Sequence, residues 1–173
     1  MDRSERLEKL LPNGRGVWIP IDHGASDFPV EGLVDTESTI KALISAGVDV
    51  ILAQKGVVSH YSHLCQGTKT NMVVHLSVST RHAGPDCANK VLVGHPDEVI
   101  SRGGLGVSCQ VNIGSANEAE MIERMGEVSR QSHKLQLPMF GMIYARGEFL
   151  NIMEGDSTLG NAHAARLAFE LGC

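Results

Sequence analysis

The stretch 35–53, DTESTIKALISAGVDVILA, places a helix and a strand on either side of one glycine. Ile40 and Ile44 recur at the spacing of one helical face, and Gly47 stands where a helix would end. The run 48–53 is apolar and rich in β-branched residues, which is typical of a buried strand. A helix that leads directly into such a strand predicts a βαβ unit in a parallel sheet.

The same alternation continues along the chain. The predicted strands are 17–22, 48–53, 72–77, 107–113 and 139–144, and the predicted helices are 35–46, 96–103, 117–136 and 161–171. Strands that alternate with helices predict an α/β fold, either a doubly wound sheet or a (β/α)8 barrel. The chain holds about five βα units, whereas a closed barrel needs about eight and typically about 250 residues. The loop 78–90 is long and polar, and such loops are often functional.

Composition limits the kinds of partner. The 173 residues carry a net charge of −5, so no basic surplus predicts nucleic-acid binding. No apolar run approaches the about 20 residues of a membrane span, and the N-terminus lacks a signal-peptide core. We therefore expect a cytoplasmic protein without a membrane partner. The four cysteines form no C-x-x-C pair and are interpreted as free thiols.

Polar residues follow the apolar strands where each strand ends. Asp22 ends the first strand, Lys55 follows the second, and Tyr144 ends the fifth, with Arg146 just after it. Because the carboxyl ends of parallel strands meet at one edge, we expect these side chains to converge at one mouth. Such a set suits proton transfer beside a carbonyl or a phosphorylated sugar. Taken singly, each also fits a structural role, such as an Asx turn for Asp22 or a solvated lysine for Lys55.

Other chemical motifs are weaker. His60, His63 and Cys65 are metal-ligand types, but no second ligand group stands at a fixed spacing. The glycines at 104 and 106 precede a strand, whereas a dinucleotide-binding motif follows one. We therefore expect neither a metal nor a cofactor.

Several stretches, most of them at strand ends, form a recognisable set: PIDHG (20–24), QKG (54–56), HLSVST (75–80), VNIG (111–114), EAEM (118–121) and YARG (144–147). With these stretches the chain resembles the archaeal-type class I aldolases along nearly its whole length. Two of them, HLS and NIG, favour the 2-amino-3,7-dideoxy-D-threo-hept-6-ulosonate synthases of aromatic amino acid biosynthesis over the archaeal-type fructose-bisphosphate aldolases, which remain the alternative.

The resemblance implies a TIM (β/α)8 barrel and a Schiff-base mechanism, in which a lysine amine attacks the substrate carbonyl and the iminium accepts electrons. It implies a phosphorylated keto sugar as substrate and a homo-oligomer as the assembly. It also implies that Asp22 is the proton acceptor and Tyr144 the proton donor. The residues that would contact substrate are His23, Gly24, Ala25, Ser26, Ala145 and Arg146.

The same resemblance places the Schiff-base lysine on a sixth strand and the phosphate site on the seventh and eighth, beyond residue 173. We therefore expect residues 1–173 to be the N-terminal part of one barrel, without a Schiff-base lysine and inactive alone. Ala145 stands where proline is common in the family. Three alternatives stay open: Lys55 as a substitute nucleophile, a non-catalytic fragment that associates with a full-length homologue, and a metal-dependent class II aldolase.

Overall fold

The computed structural model describes residues 1–27, 31–150 and 157–173. The helices are α1 (Arg3–Leu10), α2 (Thr36–Ser45), α3 (Lys55–Tyr61), α4 (Glu118–Lys134) and α5 (Ser157–Glu170). The strands are β1 (Trp18–Pro20), β2 (Val50–Gln54), β3 (Asn71–His75), β4 (Ser77–Val78), β5 (Val91–Leu92), β6 (Gly106–Ile113) and β7 (Met139–Ala145). No helix among these residues is long and apolar enough to cross a membrane.

Five strands form one parallel sheet in the order β1-β2-β3-β6-β7. Strand order therefore follows chain order, as in a barrel, whereas a doubly wound sheet reverses its order at a switch point. Strands β4 and β5 lie outside this sheet and pair antiparallel with each other. The predicted α/β fold with a parallel sheet of five strands is confirmed.

Each strand sends alternate side chains to opposite faces of the sheet, as a period of two requires. In β6, Val107, Cys109 and Val111 belong to the main core, which also contains the buried apolar residues of α2, α3, α4 and α5. We call this helix-covered side the outer face. The residues that alternate with them are Ser108, Gln110 and Asn112. These are buried polar residues on the opposite side, which we call the inner face.

The end of the inner face where the strands begin is apolar. Leu10 of α1 is fully buried there, and the Trp18 indole Nε1 donates a hydrogen bond to its carbonyl at 3.0 Å. The Trp18 and Phe140 rings meet edge to face, with centroids 4.3 Å apart. Helix α1 thus closes this end of the sheet. We call the group the lower cluster: Leu10, Trp18, Val50, Leu52, Val73, Leu105, Phe140 and Met142.

Three elements differ from the sequence-based prediction. Helix α1 was not predicted, although a capping box between Asp2 and Glu5 starts it. The predicted helix 96–103 is wrong, because only a 3-10 turn forms at Pro96–Glu98 and Gly103, at φ 93°, turns the chain soon afterwards. Helix α3, which begins directly at Lys55, is not among the predicted helices.

Candidate active site

A cavity of about 390 Å³ opens at the carboxyl ends of β1, β6 and β7. It lies on the inner face, at the opposite end of the strands from α1. Most of the side chains that line it are charged or polar, as expected for a site at this edge of a parallel sheet. The lining residues are Pro20, Asp22, His23, Ser26, Asp27, Ser79, Arg81, Cys87, Lys90, Gln110, Met142, Tyr144 and Arg146.

Asp22 begins the 3-10 turn that follows β1, and its side chain is 14% exposed. Its carboxylate Oδ2 lies 3.9 Å from Nε2 of His75, which ends β3 and is buried. Burial lowers the pKa of His75 to about 4, and the positive charge of Lys90 adds to this effect while Asp22 opposes it. The imidazole is therefore neutral at neutral pH and does not form an ion pair with the Asp22 carboxylate.

Hydrogen bonds from two strands fix the His75 ring. Nδ1 lies 2.6 Å from Ser108 Oγ, and Nε2 lies 3.3 Å from Ser77 Oγ. The Ser77 hydroxyl also accepts a hydrogen bond from the Gln110 backbone N–H at 2.9 Å. Ser77 can then donate its own proton to Nε2, which places the imidazole proton on Nδ1, facing Ser108. The His75 ring thus lies beside Asp22 as a neutral group with a hydrogen-bond partner at each nitrogen.

Tyr144 and Arg146 come from the end of β7 and stack on each other. The Arg146 guanidinium carbon lies 4.4 Å from the centroid of the Tyr144 ring. Arg146 Nε donates to Asn112 Oδ1 at 3.0 Å, and Asn112 Nδ2 donates to the Ala88 carbonyl at 2.6 Å. Gln110 Nε2 donates to the same Asn112 oxygen at 2.8 Å. The buried amide of Asn112 therefore connects β7 to the loop before β5.

Gly147, the last residue of the YARG stretch, lets the chain cross the end of β6. Its N–H donates to the Ile113 carbonyl at 2.8 Å, and a Cβ at this position would overlap the backbone of Gly114 and Ser115. A side chain at 147 would therefore push β7's end away from β6 and displace Tyr144 and Arg146 with it.

Lys90, which was not predicted as a site residue, lines the cavity directly before β5. Burial lowers the pKa of its amine, and the neighbouring Arg146 charge lowers it further, against the opposite effect of Asp22. The Arg124 guanidinium donates to the Lys90 carbonyl at 3.0 Å and to the Asn89 side chain. The one signal in the sequence was the long polar loop 78–90, which Lys90 ends.

The structure does not bring Lys55 to this cavity. Lys55 starts α3, and its Nζ lies 3.4 Å from Glu98 Oε1 in a partly exposed ion pair. Among the predicted substrate contacts, His23 and Ser26 line the cavity. Gly24 and Ala25 line a neighbouring cavity of about 260 Å³, which Asp22 also reaches, and Ala145 pairs with Ile113 without lining either cavity.

Within residues 1–27, 31–150 and 157–173, no three His, Cys, Asp or Glu side chains come together as a metal-binding group. All four cysteines are described and none is in a disulfide. Cys109 is buried, and Cys87 is exposed in the cavity wall.

Comparison with known sequences gives one family and several named relatives. A family described as DeoC/LacD family aldolase matches residues 17–173. The chain is 34% identical over 171 residues to a 2-amino-3,7-dideoxy-D-threo-hept-6-ulosonate synthase of Halobacterium salinarum, covering 98% of this chain and 62% of that protein. It is 33% identical over 172 residues to a 2-amino-4,5-dihydroxy-6-oxo-7-(phosphonooxy)heptanoate synthase of Streptomyces griseus, covering 98% and 61%. The chain thus spans about three fifths of the length of these curated relatives.

Solved structures agree on the fold. An archaeal fructose-1,6-bisphosphate aldolase, with its catalytic Lys covalently bound to the carbinolamine intermediate of the substrate, superposes with a TM-score of 0.79 at 21% identity, covering 99% of this chain and 68% of that one. The fructose-bisphosphate aldolase from Slackia heliotrinireducens gives a TM-score of 0.81 at 20% identity, covering 99% and 58%. The five-stranded sheet therefore has the fold of part of a TIM-barrel aldolase, as predicted.

Proposed function

Because the chain belongs to the DeoC/LacD aldolase family, we propose that it carries the acid–base part of an active site for aldol or transaldol chemistry on phosphorylated keto sugars. Residues 1–173 would form the first five βα units of a single (β/α)8 barrel. The synthases that the chain matches at 32–34% identity support a reaction of the kind that their names describe, in aromatic amino acid biosynthesis. A homo-oligomer in the cytoplasm is part of the same proposal.

Two proton transfers accompany cleavage of the carbon–carbon bond in this proposal. Asp22 accepts the hydroxyl proton from the carbon that becomes a carbonyl. The electrons of the broken bond move into an iminium that a Schiff-base lysine forms with the substrate, which gives an enamine. Tyr144 then donates a proton to the enamine carbon. The Schiff-base lysine is assigned outside residues 1–173, and the archaeal relative with a carbinolamine on its catalytic Lys supports this type of chemistry.

One observation carries the proposal: Asp22 and Tyr144 come from the two edge strands of the sheet and line the same cavity. The His75 imidazole beside Asp22 is neutral, so the Asp22 carboxylate is not engaged in an ion pair with it. The Tyr144 ring lies against the Arg146 guanidinium, which holds the ring in the cavity wall. His23, Ser26 and Arg146 surround the same space and would contact substrate, with Gly24, Ala25 and Ala145 shaping the adjoining backbone.

The test joins residues 1–173 to the C-terminal part of the Archaeoglobus fulgidus synthase that this chain does not cover. Cleavage of fructose 1,6-bisphosphate by this chimera is then measured. We expect Asp22→Asn and Tyr144→Phe each to lower kcat about 100-fold or more, the usual contribution of a positioned acid or base. Asp97→Asn and Tyr61→Phe, which lie outside the cavity, are the matched controls and should leave kcat unchanged.

A second experiment concerns the nucleophile. The 173-residue protein is treated with dihydroxyacetone phosphate and borohydride, and its intact mass is measured before and after. We expect no adduct, because the Schiff-base lysine is assigned elsewhere. A stable adduct mapped to Lys55 would overturn that assignment and support the substitute nucleophile instead.

A further inference from the structure

We infer that Lys90 and Arg146 together bind an oxyanion of the substrate, a carboxylate or a phosphate, inside the cavity that Asp22 and Tyr144 line. The inference rests on the proposed function for the identity of the substrate, although the binding itself can be measured without turnover.

Three sets of contacts fix the position of Lys90. The antiparallel pairing of β4 with β5 closes the loop that Lys90 ends. Arg124 of α4 holds the Lys90 carbonyl at 3.0 Å, and Asn112 holds the carbonyl of Ala88 at 2.6 Å. Contacts with α4 and β6 therefore fix the backbone at Lys90. Its half-buried side chain lines the cavity.

The charges in the cavity are not balanced. Arg81 also lines it, but its guanidinium forms an ion pair with Asp27 at 2.6 Å. Within the described part of the chain, Lys90 has no carboxylate within 4.0 Å, and Arg146 donates only to an amide oxygen and stacks on a ring. Burial and the Arg146 charge lower the pKa of the Lys90 amine, whereas the Asp22 carboxylate raises it. An anion between the two cations would offset their repulsion through charge-assisted hydrogen bonds.

The two cations differ in what they offer. The guanidinium is planar and already oriented by Asn112, whereas the lysine amine is a compact point charge on a flexible stem. A carboxylate or a phosphate fits both. The product named for the Streptomyces griseus relative carries each of these groups, a heptanoate carboxylate and a phosphonooxy group. The shared chemistry is therefore an oxyanion, and the choice between the two sources is left to the experiment.

The experiment titrates the ¹⁵N-labelled 173-residue protein with inorganic phosphate and, separately, with sodium acetate, at ionic strength held constant with chloride. We expect saturable shifts in the amides of residues 88–90 and 144–146 for at least one anion. Lys90→Gln should weaken that binding about tenfold or more, and Lys90→Arg should keep most of it, because the charge is retained. Lys69→Gln removes the same charge at the exposed pair with Asp49 and should change nothing.

Saturation by acetate assigns the carboxylate, saturation by phosphate assigns the phosphate, and either supports the inference. Equal affinity in Lys90→Gln and the parent protein would overturn it, as would shifts confined to residues outside the cavity or a response to neither anion. Circular dichroism of each variant shows whether it is folded. If the Asp22→Asn chimera keeps its turnover while Lys90→Gln loses phosphate binding, the assignment of Asp22 fails and the anion site stands.

Discussion

The two ends of the inner face are made from the same strands but have different surroundings. Where the strands begin, Trp18 and Phe140 pack against Leu10 of α1 in an apolar cluster. Where they end, Asn112 is also buried, but hydrogen bonds satisfy its amide beside an open cavity. The alternation along a strand decides on which face a residue lies. Its position along the strand then decides whether it packs in the lower cluster or lies at the cavity.

The two ends also differ in the interactions that stabilise them. The lower cluster stabilises the sheet by removing apolar surface from water. The polar end gains little net stability from each hydrogen bond, but a broken bond there leaves a buried group unsatisfied. Mutations at the two ends should therefore have different effects on stability and on anion binding, and the following experiments test that contrast.

The largest expected effect belongs to the lower cluster. Leu10→Ala should lower the free energy of unfolding by about 2–5 kcal/mol, because Leu10 is fully buried and the change leaves a cavity. Leu7→Ala in the same helix is the control, since Leu7 is 39% exposed and should cost about 1 kcal/mol or less. Urea denaturation measures both. Loss of anion binding in folded Leu10→Ala would show that the two ends are not independent.

The polar end should make stability depend on pH. The pKa of His75 is about 4 in the folded protein and about 6.5 when unfolded, so between these values the unfolded chain binds more protons. Stability should therefore fall as pH falls from about 6.5 to about 4, by up to about 3 kcal/mol. Urea denaturation at several pH values measures this slope. His75→Asn should flatten it, whereas His63→Asn, at an exposed position, should keep it.

A smaller loss of stability, with a loss of binding, is expected at Asn112. Asn112→Ala removes the hydrogen bonds to Ala88, Gln110 and Arg146 and should cost about 1–3 kcal/mol. Phosphate or acetate binding should weaken as well, because Arg146 loses its orienting contact. Asn117→Ala is the comparison, since Asn117 makes no side-chain capping bond to α4. Unchanged anion binding in a folded Asn112→Ala protein would contradict the role of this amide.

The smallest effect is expected at Lys55, which belongs to neither end of the inner face. Lys55→Gln breaks a partly exposed ion pair with Glu98 and should cost about 1 kcal/mol or less. It should leave anion binding intact, in contrast to Lys90→Gln. Loss of anion binding in the Lys55→Gln protein would contradict the placement of Lys55 outside the cavity.

Much of the fold could be predicted from the sequence, because its signals are local. Five apolar runs predicted five strands, and all five pair in chain order. The segment 96–103 has a proline and two acids typical of a helix start, but only a 3-10 turn forms at Pro96–Glu98, and Gly103 turns the chain five residues later. Helix α1 carried charge at most positions and only a narrow apolar stripe, so its burial against the sheet was not visible in the sequence.

The candidate site could be predicted only in part. Asp22 lies just after β1 and Tyr144 lies at the end of β7, so the sheet itself carries them to one edge, and the structure brings both to one cavity. Their roles in proton transfer stay predictions. Lys55 also follows a strand, but α3 begins at that residue and its amine pairs with Glu98. Lys90 ends a loop, and only the folding of that loop onto β6 and α4 brings it into the cavity.

The sequence by itself determined the succession of strands, the face on which each strand residue lies and the polar residues at the strand ends. These properties depend on backbone period and on neighbours along the chain. Tertiary structure decided which lysine enters the cavity, that His75 is neutral beside Asp22, and that one buried amide joins Arg146 to the loop of Lys90. Each of these depends on distances between groups far apart in sequence, and charge, burial and hydrogen bonding take their values only at those distances.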